Sequence, residues 1–332
     1  MPDISLLEPR VLNGVIQRMP PADGMLGHEI VSRQSWPSTS WEYDIISRRR
    51  RIARPNTPNS AARIVDQNGV GHMSGGFLYT REKKVFSPTT ILWLREPGEM
   101  ARPNAEAAVM RELGELTERV DRLEEYCIWQ MLGRGQFDLA ALGYNTGTID
   151  YGVDATHQPT VATFWNSPAA NIVTDLQDFK RIISRDSDAV LTELIGNGIT
   201  LDTFYRHTQV NSMLSDDQKR VMVSEGKLPR FQQITFREYD RGFEDDYTTP
   251  GTPVFRTYIQ DGYFVGVADG GINPNFALLD GPAADHDAPR GHTGRFSKTW
   301  READPSELQG LLESNWFPVL FQPDHILQPR VF

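Results

Sequence analysis

The sequence holds a single cysteine, Cys127, so no disulfide can close within the chain and no multi-cysteine zinc site can form. A reducing compartment is therefore permitted. No apolar run approaches the ~18 residues that a membrane-spanning helix needs. The opening MPDISLLEPRVLNGVIQRMP has neither a basic start nor an apolar stretch before a small-residue cleavage site. These features predict a chain that is neither exported nor inserted in a membrane. Positive charge is also short: 34 Lys and Arg against 44 Asp and Glu leave a formal net charge of -10. That argues against a protein that wraps or reads DNA, because neutralising phosphates needs clustered cations. A protein that merely encloses DNA remains allowed, since an acidic inner wall would not adsorb it.

Catalytic constellations are equally scarce. The histidines, His28, His72, His157, His207, His286, His292 and His325, form no HExxH pattern and no i, i+4 pair. Asp285, His286, Asp287 and His292 come nearest to a ligand set, but they sit in a loop with no helix to fix them, so the loop reads as solvated polar surface. A metal-dependent enzyme using that loop is the rival reading. No G-x-S-x-G elbow is present, and Cys127 falls on an apolar helical stripe, where a buried inert thiol is the default. Gly133-Arg134-Gly135 and the GVADGG run from Gly266 to Gly271 lack the strand-to-helix context of a phosphate cradle. The acidic pairs Glu124-Glu125, Asp216-Asp217 and Asp245-Asp246 read as solvated surface, because adjacent residues point apart. The expectation is a non-enzyme with no catalytic, cofactor-binding or metal-binding residue.

What is present is a chain of 332 residues, ample for a substantial core, with 22 prolines that break its surface. Residues 1–45 show short apolar groups interrupted by Pro9, Pro20, Pro21 and Pro37, then Trp36 and Trp41. They read as an extended arm whose tryptophans must lie against the body or a neighbouring subunit. From 46 to 92 come the run Arg48, Arg49, Arg50, Arg51 and then RIVDQNGVGHMSGGFLYTREKKVFSP, in which Asn68-Gly69 predicts a hairpin turn between RIVD and FLYT. An isolated hairpin is marginal in water, so its completion is expected from contact elsewhere. The arginine run is expected to salt-bridge with acidic neighbours rather than to contact nucleic acid.

The strongest local signal follows Asn104, a candidate N-cap. Val109, Leu113, Leu116, Val120, Leu123 and Cys127 alternate steps of four and three, predicting one amphipathic helix of roughly 40 Å over 104–132. Glu112, Glu115, Glu118, Arg119, Arg122 and Glu125 are assigned to its opposite, solvated face, and Gly133 and Gly135 end it. The stripe has too few heptads for a coiled-coil seam. A strand at TGTIDYGV and a second amphipathic helix at DLQDFKRIISRDS complete an α+β body. TYIQDGYFVGVA predicts a hairpin at Asp261-Gly262, DGPAADHDAPRGHTGRFS a surface loop, and NWFPVLFQPDHILQPRVF proline-punctuated edge strands.

The order of arm, basic-flanked hairpin, long helix and α+β body resembles the HK97-like phage capsid fold, and the residues resemble the lambda-type gpE branch of tailed-phage major capsid proteins. FSPTTI at 86–91, LEEYCIWQMLGRGQFDL at 123–139, IDYG at 149–152, Trp165, DLQDFKRII at 175–183, Asp304-Pro305 and the closing FPVLFQPDHILQPRV carry it. The resemblance implies an N-terminal arm at 1–45, an E-loop at 46–92, a P-domain at 93–189 with its spine helix at 104–132, an A-domain at 190–300, and return strands of the P-domain at 301–332. It implies a major capsid protein that self-assembles in hexamers and pentamers into an icosahedral head around double-stranded DNA, held without sequence specificity. The location implied is the virion, with assembly in the host cytoplasm, no membrane and no cofactor. A scaffolding protein, a portal and a decoration protein are the implied partners. Trp36, Trp41, Arg48, Arg49, Arg50, Arg51, Lys83 and Lys84 become the candidate inter-subunit contacts. An encapsulin-like shell of the same fold is the alternative. The Gly-Arg-Gly turn after the spine helix and the arginine run depart from the family pattern.

Overall fold

A computed structural model describes residues 24–46, 70–87, 105–140, 147–225, 230–245, 252–268 and 273–332. The Arg48–Arg51 run, the Asn68-Gly69 turn and the Asn104 cap lie outside the described residues.

The predicted long helix is α2, Ala105–Arg134, preceded by the short α1, Leu26–Ile30. Its stripe is inward as the spacing requires: Val109, Leu113, Leu116, Val120 and Cys127 are buried, and Leu123 is partly so. Gly133 stays inside the helix, and Gly135, at φ +60°, stops it. A side chain there would strike Val153, so both the backbone angle and the space call for glycine.

Helix α2 lies across a five-stranded sheet whose longest member is β15, Glu307–Leu320. Strand β14, Phe296–Glu302, pairs with 307–313 of β15, and β13, Asn273–Asp280, with its last residues, Trp316–Leu320. Strand β4, Leu78–Phe86, runs along 308–316, and β1, Val31–Ser35, joins in parallel on β13. Strand β15 is therefore central over 308–313, whereas 317–320 pairs with β13 alone among the described strands, an edge as its prolines suggested. Pro318 is accommodated because β15 beyond Trp316 has β13 as its one described partner, so a missing N–H leaves no ladder bond broken on the other side.

A second sheet runs β16, Ile326–Leu327; β12, Phe264–Ala268; β7, Leu191–Gly196; β9, Ile234–Glu238; β8, Arg230–Phe231. The predicted second helix, α3 at Ile172–Ser187, and α4, Gly198–Arg206, bury Phe179 and Phe204 against it, around Trp165. Two short helices, α5 at Thr208–Met213 and α6 at Asp216–Glu225, follow. The predicted strand at TGTIDYGV shrinks to β6, Ile149–Asp150, paired with β5, Gln136–Phe137.

The hairpin expected at Asn68-Gly69 has its turn and its RIVD strand outside the described residues, and the one expected at Asp261-Gly262 is corrected. Leu78, Tyr79 and Thr80 of FLYT belong to β4 and pair with β15, while β3, Val70–Gly76, pairs with β2, Ser40–Ile46. At Asp261-Gly262 a turn is present, with Gly262 at φ +81°, but its flanks diverge: β12 joins the second sheet, and β11, Val254–Thr257, pairs with β10, Gly242–Asp245. Turn chemistry sets the backbone angles; it does not choose the partner strand.

Candidate functional site

Among the described residues, a cluster of buried charged groups lies on the flank of α2 facing α1 and β1. Asp121, Glu124 and Glu125 are all buried, which corrects the assignment of Glu125 to a solvated face and of the Glu124-Glu125 pair to the surface. Arg33 Nη2 lies 2.9 Å from both Glu124 oxygens, and its Nε donates to Asp280. Arg295 reaches the same carboxylate at 2.8 Å and also donates to Asp121. Burial opposes the Arg33 charge, but Glu124 and Asp280 outweigh it and hold its pKa above the ordinary value. Burial would likewise raise Glu124, yet Arg295 and Arg33 keep it below the usual carboxylate range.

Glu125 has a different set of partners. It accepts from the backbone N–H of Gly27 at 2.8 Å and of His28 at 3.2 Å, from Trp129 Nε1 at 2.7 Å and from the Tyr239 hydroxyl at 2.5 Å. The Trp129 and Tyr239 rings stack at 5.0 Å. Burial and then the Glu125 charge raise the Tyr239 pKa, so the phenol stays a donor. Four donors satisfy the hydrogen-bonding capacity of this buried carboxylate.

His28, Asp121 and Glu124 converge closely enough to suggest metal ligands. Their carboxylates, however, are already taken by two guanidiniums, so the chemistry of the donor set is ion pairing. The loop considered in sequence as a ligand set is held differently: Asp285 takes Lys298 at 2.7 Å and Arg81 at 3.3 Å, and His292 Nε2 meets the Arg295 carbonyl at 2.9 Å. The loop is more tied down than a solvated stretch, and Arg295 at its end is buried. Cys127 is fully buried, and desolvation followed by the Glu124 charge pushes its thiol well up, as an inert thiol requires.

The candidate contact residues separate. Trp41 is buried, stacked on Phe317 at 4.3 Å, with its Nε1 donating to the Gly76 carbonyl; it anchors the chain's own core rather than a neighbour. Trp36 is half-buried and donates to the Ser40 carbonyl. Lys83 is exposed and reaches Gln309, whereas Lys84 is held by Glu112 and Glu115 of α2. The larger exposed apolar side chains include Phe255 and Val254 on the β10–β11 hairpin, Val190, Ile199 and Met213, none of them singled out from the sequence. Nothing local marks them, because exposure is settled by how the elements pack. The inward acids could have been read: Glu124 lies four residues after Val120 and three before Cys127, on the stripe itself. Among the described residues no helix is long and apolar enough to cross a membrane.

Residues 8–331 match the family model described as phage major capsid protein E. Among curated proteins no relative matches in sequence. In structure the chain is similar to a prophage capsid protein of Escherichia coli CFT073, with a TM-score of 0.59, 12% identity, and 79% of this chain and 80% of that one covered. It is similar to a phage-related protein of Bordetella bronchiseptica RB50, with a TM-score of 0.58, 10% identity and coverage of 96% and 95%. The mature capsid of bacteriophage PhiM1 gives a TM-score of 0.56, 11% identity and coverage of 92% and 86%. The α+β body thus has the HK97-like phage capsid fold.

Proposed function

The chain belongs to the phage major capsid protein E family, and on that premise we propose that its copies close, through hexamers and pentamers, into the icosahedral head that encloses double-stranded DNA. The observation that carries the reading is the family match over 8–331, joined by a fold shared with phage capsid proteins along almost the whole chain. The net charge of -10 fits a container that holds DNA without binding its sequence.

In this reading α2 is the spine helix of a P-domain, the second sheet with α4 and α5 forms the A-domain, and β2 with β3 is the base of an E-loop. Trp36, Lys83 and the Arg48–Arg51 run are proposed contacts between copies. Phe255, exposed at 61%, joins them, because an apolar ring on a two-stranded hairpin gains most from being covered. A scaffolding protein, a portal and a decoration protein are the proposed partners, and the host cytoplasm the proposed place of assembly.

Electron microscopy of the purified chain, expressed with and without its neighbouring genes, tests the proposal. Closed shells or rings of five and six subunits are expected. Small uniform particles under both conditions would overturn it.

A further inference from the structure

His157 is almost wholly buried, yet one nitrogen of its ring is unsatisfied. Nδ1 lies 2.7 Å from the Ile326 carbonyl, which can only accept, so Nδ1 carries a proton. In the neutral ring Nε2 is then a bare lone pair. It faces Asp186 Oδ2 at 3.3 Å but off the axis that a hydrogen bond needs. Two electron-rich atoms held so close repel each other unless positive charge lies between them.

Asp186, in the last turn of α3, lines a cavity of about 210 Å³ together with Tyr151, Ser187, Asp324 and His325. Asp324 belongs to the 3₁₀ turn Pro323–His325 between β15 and β16. It is half-buried and has no hydrogen bond or ion pair among the described residues. Asp154 adds to the negative field there. The cation on Asp186 is Arg185, with Nε 2.9 Å from Oδ1 and Nη2 3.2 Å from Oδ2. Its side chain is 68% exposed, and an exposed pair is worth little, so it yields where the buried Arg295 on Glu124 does not.

A divalent metal ion satisfies these acceptors together. Ligand atoms about 2.0 Å from a tetrahedral zinc ion stand about 3.3 Å apart, which is the separation of Nε2 and Asp186 Oδ2. The Nδ1–H bond to a backbone carbonyl is the support that fixes the tautomer and orientation of a ligating imidazole. A proton on Nε2 is the competing cation, but it would have to point along an axis on which Oδ2 does not lie.

We infer that His157 Nε2, Asp186 and Asp324 form a binding site for a divalent ion of the zinc class, with Asp324, the carboxylate without a partner, turning in as the third ligand and water completing the set. The ion ties together three segments far apart in sequence: the 3₁₀ turn Ala155–His157, the end of α3 and the turn Pro323–His325. Such a site does not depend on shell assembly, so the purified chain suffices to test it.

The full chain, stripped with a chelator, is titrated calorimetrically with ZnCl2 at neutral pH and, for comparison, with CaCl2. One equivalent of zinc bound at micromolar Kd or tighter is expected, with calcium about tenfold weaker or worse because imidazole suits zinc. At a hundredfold excess of zinc over Kd the melting temperature should rise by about 3 °C or more. Asp186→Asn, Asp324→Asn and His157→Gln should each weaken zinc binding about tenfold or more and remove that rise, whereas His28→Gln, beside the carboxylates of α2, should bind as the wild type does. Asp186 and Asp324 are only partly buried, so their isosteric variants decide the matter even if His157→Gln does not fold. Failure of the wild type to bind one zinc equivalent would overturn the inference, and so would undiminished binding by Asp186→Asn and Asp324→Asn.

Discussion

Arg295, in the loop ahead of β14, meets Glu124 of α2 at 2.8 Å across 171 residues of sequence. The same guanidinium holds Asp121, so one side chain neutralises two buried carboxylates on successive turns of the helix. Removing one partner of such a network strands charge in the core. Arg295→Met, which keeps the volume, should lower unfolding free energy by about 3–5 kcal/mol, measured by urea denaturation.

The network also sets an acid dependence. Glu124 has a folded pKa below its ordinary value, so its stabilisation is present above the unfolded carboxylate pKa and is lost as pH falls through the folded one. The stability gap between the wild type and Glu124→Gln should therefore be full at neutral pH and narrow steadily below about pH 4. Thermal melts across pH check this; a gap independent of pH would place the contribution elsewhere.

Asp324 has the opposite sign. Burial raises its pKa, opposed in part by His157 and reinforced by Asp186. A raised carboxylate pKa means the charged form is disfavoured in the folded state, a cost present at neutral pH that disappears on acidification. Asp324→Asn should melt higher than the wild type at pH 7 and lose that advantage near pH 3.

Gly310 of β15 brings the strand close under α2: a Cβ there would lie 2.7 Å from Leu113 Cδ2. Gly310→Val should push helix and strand apart and cost about 1–3 kcal/mol, read from chemical denaturation.

The Tyr151 hydroxyl donates to the Pro318 carbonyl at 2.8 Å in the core. Tyr151→Phe leaves that acceptor unsatisfied, and a loss of about 1 kcal/mol is expected, again from denaturation midpoints.

Much of this molecule was legible in the chain alone. Apolar spacing from Val109 to Cys127 determined α2 and its inward face, and Gly135 its end, because both follow from helix geometry and local backbone sterics. DLQDFKRIISRDS determined α3 in the same way, and the motifs from FSPTTI to the closing FPVLFQPDHILQPRV pointed to the capsid family. Partner choice was not legible. That Leu78, Tyr79 and Thr80 would pair with β15, that Pro318 would lie in the longest strand, that Trp41 would turn inward, and that Arg33 and Arg295 would converge on Glu124 all depend on contacts between residues far apart in sequence. A local pattern says which face of an element is apolar. Which element covers that face, and which cation reaches a buried acid, is decided only when the chain closes on itself, because long-range packing sets both the space and the dielectric in which those charges meet.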